Sequence, residues 1–377
     1  MKLKDTRKEF SFLTYLVGGG MTSRERVLMA MSRKGKPDRP PFEISWGAFT
    51  PNLMRIFREQ TDSNLTPDEF FNFDTRSVTP DPTTKNCDFS RWFSGIELDE
   101  SVKFNEWGVG TVPTEYEIPD FKYHPLAKME TVSEIEAYDW PDIDKAYRYE
   151  SLKGKIDVLH ARGYSVNGEM YQTIFETAWL MRDMNQFLQD MYLNQPLIEA
   201  IIEQITYLRV EQAIHFTKAG VDIIRLGDDI VTQRGLLFSK EFYRKFFKPS
   251  VKKIVEEVKR INPEVLVFMH SCGKIEEMIP EYIDCGIDIL NPVQPECNDL
   301  VYIEKEFGSD IAFWGGLGVQ SVLPNGTPDD VRSAVIDTQN ILGKRGSWLA
   351  APAHILDPTI PWENIIAFVD SAKNATY

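Results

Sequence analysis

Cysteine is scarce in this chain. Cys87, Cys272, Cys285 and Cys297 are the only four in 377 residues, and no two form a CxxC pair. Thiols so few and so scattered exclude a disulfide-stapled framework. Long apolar runs are also missing. A membrane-spanning helix needs about 20 consecutive apolar residues, and no stretch approaches that length. The N-terminal "MKLKDTRKEFSFLTYLVGGG" has basic residues and a short apolar patch, but Thr14 breaks the patch and no small-residue cleavage site follows. It does not read as a signal peptide. Positive charge is in deficit as well: 42 Lys+Arg stand against 57 Asp+Glu, for a net charge of -15. Nucleic acids and anionic membranes both require clustered cations, so neither is an expected partner. A soluble, cytoplasmic protein is the expectation. The 42% of hydrophobic residues suffices for one large α/β domain or two ordinary ones.

What is present is a rhythm of short apolar runs with polar tips, separated by segments of helical period. The runs fall at residues 41–48, 71–78, 164–170, 221–230, 264–273, 286–295, 310–318 and 347–356. Helices are expected at about 50–60, 171–192, 195–218, 239–261, 275–285 and 299–307, then after Thr327-Pro328 and from Pro361. Ser239 and Thr327 read as N-caps. Strands buried on both faces and joined by helical crossovers imply a parallel sheet, and eight of them suggest a (β/α)8 TIM barrel. An open doubly wound sheet is the alternative, although its Gly-rich first turn is absent. Residues 1–20 read as an N-terminal extension to a single domain over 21–377. Residues 80–160 read as an insertion after the second strand, with a hairpin around Gly108 and Gly110.

Barrel enzymes carry their chemistry at the C-terminal ends of the strands. Those ends offer Glu43, Trp46, Asp74, Arg76, Asn167, Glu169, Asp228, Asp229, His270, Cys272, Asn291, Gln294, Trp314 and His354. His270 and Cys272, at i and i+2 in "FMHSCGK", point to one side of an extended strand and are zinc-ligand types. The alternative is a hydrogen-bonding histidine and a small buried thiol. His354, Glu169 or Asp228 would supply the third ligand. Asp228 and Asp229 are adjacent, so only one faces the barrel mouth; Asp228 is taken as base or substrate contact, and Asp229 as capping a turn or pairing with Arg234. Glu169 is either a general acid/base or an electrostatic helix cap. Trp46, Asn167, Arg76, Gln294, Phe313 and Trp314 are candidates for lining a substrate pocket. His124, His160 and His215 read as structural. "DVLHARG" (157–163) has one residue too many for the cobalamin-binding D-x-H-x-x-G pattern. "GGLG" (315–318) cradles an anion or makes a tight turn, the turn being the simpler account.

The segments "NGEM…FETAWLMRDMNQFLQDM", "GVDIIRLGDDIVTQRGLLFSKEFYRKFFKP", "HSCG", "GIDILNPVQP", "FWGGLGVQSVLPNGTPDDV" and "APAHIL…PWENIIAF" together resemble the uroporphyrinogen decarboxylase superfamily. They are most similar to its decarboxylase-like branch, which includes corrinoid-dependent methyltransferases. The resemblance runs from about Met21 to the C-terminus and implies a TIM barrel and a homodimer. The porphyrinogen decarboxylases hold their substrate with an R-Q-A-G-R core, whereas the matching "DRPPFEISWGAFT" has no such arginines. The methyltransferases complete a zinc site with an H-x-C pair and a distant cysteine, near which this chain has His354. The resemblance thus implies zinc-assisted methyl transfer between a small substrate or thiol and a separate corrinoid protein. A metal-free decarboxylase with Asp228 as acid, and a non-catalytic small-molecule or corrinoid-binding protein, are the other readings.

Overall fold

The computed structural model describes residues 20–44, 49–114 and 119–377. The 1–20 extension and Trp46 therefore lie outside the described residues, apart from Gly20. The strands in chain order are β1 (Thr75–Val78), β2 (Lys103–Phe104), β3 (Gly110–Val112), β4 (Asp120–Tyr123), β5 (Ser165–Met170), β6 (Ile223–Gly227) and β7 (Val231–Thr232). They continue with β8 (Gly235–Leu236), β9 (Leu266–His270), β10 (Ile289–Asn291), β11 (Ala312–Leu317) and β12 (Trp348–Pro352). Seven form one parallel sheet in the order β1-β5-β6-β9-β10-β11-β12.

The first apolar run closes this sheet into a barrel with very few hydrogen bonds. Ala350 N–H donates to Pro41 O at 2.8 Å, Glu43 N–H to Ala350 O at 3.1 Å, and Asp74 N–H to Phe42 O at 3.1 Å. Residues 41–44 thus bridge β12 and the start of β1, and among the described residues the eighth strand of the expected barrel is present as two isolated bridges, Phe42 to Ala350 and Phe49 to Leu356.

Inside the barrel, side chains alternate with the strand period of two. Ile223, Leu266, Phe268, Ile289, Ala312, Trp314, Leu349 and Ala351 pack in one cluster with Val27, Ala30 and Met31 of the Ser23–Met31 helix. The strand residues come mostly from the N-terminal halves of their strands, so the helix plugs the lower end. A capping box between Thr22 and Glu25 starts it, and Arg26 fixes it to Asp74 at 2.8 Å and Asp38 at 2.6 Å. The opposite, C-terminal end is left for chemistry.

Between the strands and the outer helices lies the larger apolar core, which continues without a break into residues of the 80–160 insertion such as Phe93, Trp107 and Tyr123. The expected hairpin there is a three-stranded antiparallel sheet, β2-β3-β4. The expected 239–261 helix starts on Ser239 as cap, passes through a π-helical turn at Tyr243–Phe247 and continues as Lys248–Ile261. Thr327 caps Pro328–Ile341, and Pro361 precedes Trp362–Asn374. The "GGLG" glycines serve close packing. A Cβ on Gly315, whose φ is +125°, would stand 2.3 Å from Pro292 O. Among the described residues, no helix is long and apolar enough to cross a membrane.

Candidate metal centre

β9 delivers His270 at its C-terminal end, and the chain turns sharply two residues later. Gly273 makes that turn at φ +109°, where a Cβ would lie 2.7 Å from Thr232 O, and Lys274 N–H donates to the same oxygen at 2.9 Å. Cys272 is thereby held beside His270, with Sγ 3.4 Å from Nε2. β6 ends next to β9, and Asp229, two residues past Gly227 on the inward face, completes the group. Its Oδ1 lies 3.6 Å from His270 Nε2 and accepts the Cys272 N–H at 2.7 Å.

These three donor atoms lie within 4.8 Å of one another, the only such group among the described residues. A tetrahedral zinc with bonds of about 2.0–2.3 Å separates its ligands by roughly 3.3–3.7 Å. The two separations measured from His270 Nε2 fall in that range.

The histidine is also oriented correctly. Asn291, on β10, donates through Nδ2 to Trp314 O at 2.8 Å, which aims its Oδ1 at His270 Nδ1, 2.5 Å away. An amide oxygen there requires a proton on Nδ1, leaving the Nε2 lone pair facing Cys272 and Asp229. Burial lowers the His270 pKa and favours this neutral ring. Burial also pushes the Cys272 thiol well above its usual range, with the nearby Asp229 carboxylate adding to it. Without a cation in the group, that sulfur keeps its proton.

The structure sorts the other candidates by strand parity. Asp228 points away from the mouth, correcting its assignment as base or ligand. Its carboxylate accepts Ile174 N–H at 3.0 Å and Glu176 N–H at 2.9 Å at the start of the Phe175–Arg182 helix. Burial raises its pKa to about 6, against the pull of those amides and Arg209. The roles of the two aspartates are therefore exchanged. Arg76 faces outward from β1, stacked 3.9 Å over Tyr164 and paired with Asp68 at 3.1 Å, so it does not line the pocket. Phe313 faces the outer core, while its neighbour Trp314 faces the barrel interior.

Glu169 lies inside the barrel below the mouth, accepting from Ser77 Oγ. Arg225 bridges it at 3.5 Å to Glu43 at 3.2 Å, and Trp314 Nε1–H donates to Glu43 at 3.0 Å. Asn167, on the same face of β5, is fully buried with neither amide atom hydrogen-bonded. His354 and Gln294 line a cavity of about 400 Å³ together with Asp229, Cys272, Gln320 and Asp357. His354 stands outside the close donor group, in which Asp229 takes the third place, and burial lowers its pKa. His160 and His215 are structural. The first bonds the Asp222 carboxylate at 2.9 Å, and the second stacks on Tyr149 with centroids 4.3 Å apart.

Sequence reasoning gave Asp229 a turn cap or a pairing with Arg234 and did not count it among the metal-ligand candidates. Its signal was parity: Ile223, Arg225 and Gly227 share the inward face, and 229 continues that series.

Three comparisons bear on this geometry. The methylated-thiol–coenzyme M methyltransferase of Methanosarcina mazei is 24% identical over 245 residues, covering 63% of this chain and 62% of the relative. The methylcobamide:CoM methyltransferase of the same organism is 24% identical over 276 residues, covering 68% and 74%. The uroporphyrinogen decarboxylase of Coxiella burnetii is 24% identical over 188 residues, 49% of each chain. The chain thus spans between about half and three quarters of the length of these relatives. A solved structure described as a methyltransferase from Methanosarcina mazei superposes with a TM-score of 0.65, at 17% identity, over 94% of this chain and 98% of that one. It shares the fold. The uroporphyrinogen decarboxylase (URO-D) family profile matches residues 90–375, most of the barrel and its insertion, and the chain belongs to that family.

Proposed function

We propose that this protein is a zinc-dependent methyltransferase that moves a methyl group between a small substrate or thiol and a corrinoid carried by a separate protein. The observation that carries the reading is the Asp229–His270–Cys272 donor group, with Cys272 and Asp229 3.4 and 3.6 Å from His270 Nε2 and the histidine oriented by Asn291. Relatives named as methyltransferases, two from Methanosarcina mazei, support the reaction class.

Zinc, when bound, supplies Lewis acidity that makes a thiol acidic or a leaving group better. The chain's own residues do the rest. His270 presents Nε2, and Cys272 gives up its thiol proton when it ligates. The Asp229 carboxylate adds a negative ligand and keeps the Cys272 loop closed through its bond to the Cys272 amide. His354, Gln294 and Gln320 contact the substrate in the cavity. A thiol substrate would release its proton to solvent and take the methyl group on sulfur as the carbon–cobalt bond of the methylated corrinoid breaks, its electron pair staying with the cobalt on the carrier protein.

The decarboxylase reading has its own relative, the Coxiella burnetii enzyme. Its proposed acid, Asp228, is however spent on the Ile174 and Glu176 amides.

Elemental analysis tests the proposal. Purified protein should carry about one zinc per chain. His270→Ala and Cys272→Ala should each lose it, while Asp228→Asn keeps it. Zinc retained in the His270→Ala, Cys272→Ala double variant would sink the ligand assignment. Demethylation of free methylcobalamin by the zinc protein with a thiol present checks the reaction itself.

A further inference from the structure

The cavity in front of the donor group is acidic. Among the described residues lining it are the carboxylates of Asp229 and Asp357, the amides of Gln233, Gln294 and Gln320, and His354; none is Lys or Arg. A third carboxyl, Glu176, lies close enough to interact with both Asp229 and Cys272, but burial pushes it well above the usual carboxylate range, so it favours its uncharged form. A fourth, Glu296, sits at the rim, accepting Gln320 N–H at 3.0 Å and Ser321 Oγ–H at 2.8 Å. Arg225, buried in the barrel below, lies against the edge-to-face pair Phe268 and Trp314, at 4.7 and 4.9 Å from their ring centres, and is already matched by Glu43 and Glu169. It is not part of the cavity wall.

A carboxylate or sulfonate entering this cavity would lose its water and, with the charge of a bound zinc already balanced by Cys272 and Asp229, would meet the Asp357 and Glu296 carboxylates and no side-chain cation among the described lining residues. Desolvation and Coulomb repulsion would both oppose it. An uncharged molecule of the same size meets three amides and no penalty of that kind.

We infer that this site takes an uncharged small thiol or methylated compound and discriminates against substrates bearing a carboxylate or sulfonate. The inference rests on the metal-site reading above, which fixes where the reacting sulfur or methyl group sits. It separates this chain from relatives whose names specify coenzyme M, a thiol that carries a sulfonate.

The test compares 2-mercaptoethanol with 2-mercaptoethanesulfonate and 3-mercaptopropionate on the full chain loaded with cobalt(II), read by thiolate-to-cobalt absorption in the near ultraviolet. The uncharged thiol should bind about tenfold or more tightly than either anion at low ionic strength, and added salt should narrow the gap. Gln320→Lys, which places a cation at the rim, should shrink the gap several-fold. An anionic thiol that binds as tightly as 2-mercaptoethanol, or more so, overturns the inference and leaves the metal reading intact. If no thiol changes the cobalt spectrum, the metal reading falls and takes this inference with it.

Discussion

Asp228 and Asp229 are neighbours with the same side chain and opposite tasks. The one-residue step past β6 sends Asp228 into a desolvated site under a helix N-terminus and Asp229 into the cavity. With its pKa near 6 in the fold against 3.8 for an ordinary aspartate, Asp228 retains a proton that the unfolded chain has released between those values. Its net contribution to stability therefore falls as pH rises from about 4 to 6, by an amount on the order of 2–3 kcal/mol. Asn in its place presents one oxygen to both amides without the charge. The melting temperature of Asp228→Asn relative to the parent should rise between pH 4 and pH 7; a difference that shrinks over that interval would contradict the burial argument. Asn291 gives the second residue-scale expectation. Asn291→Leu removes the acceptor that selects the Nδ1–H tautomer, so zinc affinity, measured by competition with a chromogenic chelator, should drop about 10–100-fold. Unchanged affinity would show that the ring is oriented by something else. The identity of His270 and Cys272 as a pair was legible in the sequence because i and i+2 share a strand face. Asn291 was visible only as a polar strand end, since its role depends on β10 lying beside β9.

At the scale of elements, the strands were readable because a buried parallel strand is a short apolar run with a polar tip, and the helices because Ser239, Thr327 and Pro361 mark their starts. What the pattern left open was which face each residue takes. Arg76 and Phe313, read as pocket residues, are each the second residue of their strand and face outward, because a shift of one position reverses the side of the sheet. Closure was equally hidden. The segment 41–44 bonds through three backbone contacts, too few to announce a strand. Much of its anchoring comes from Asp74, a fully buried carboxylate that accepts Phe42 N–H at 2.9 Å and pairs with Arg26 and Arg39, both at 2.8 Å. Asp74→Ala leaves Arg26 largely buried with one carboxylate fewer and frees the barrel seam. A loss of about 3–5 kcal/mol is expected, read as a lowered urea midpoint. Hydrogen exchange should quicken first in residues 20–44. A uniform change in exchange, with no emphasis on the seam, would argue against Asp74 as its anchor.

The whole molecule is held in register by a second buried charge cluster that no single segment of sequence reveals. Arg225 on β6 meets Glu43 from the closing segment, Glu169 from β5, Phe268 from β9 and Trp314 from β11, so one guanidinium touches four other parts of the barrel wall. Burial by itself would lower its pKa, but the two carboxylates outweigh that and hold it above its ordinary value. Glu43 is affected in the opposite sense. Burial raises its pKa even with Arg225, Thr75 and Trp314 stabilising its charge. Removing the cation therefore strands Glu43 in a desolvated interior, where its neutral form is the better one, and leaves Glu169 without its ion pair. Arg225→Met should lower stability by about 3–5 kcal/mol at pH 8 and by clearly less at pH 5, because there Glu43 regains its proton at small cost. Adding Glu43→Gln and Glu169→Gln removes both charges and should return much of the lost stability and flatten the pH dependence. The urea midpoints of the single and triple variants at both pH values settle the matter: equal losses at pH 5 and pH 8, with no recovery in the triple variant, would mean that Arg225 acts by packing against Phe268 and Trp314 and that the charges are incidental.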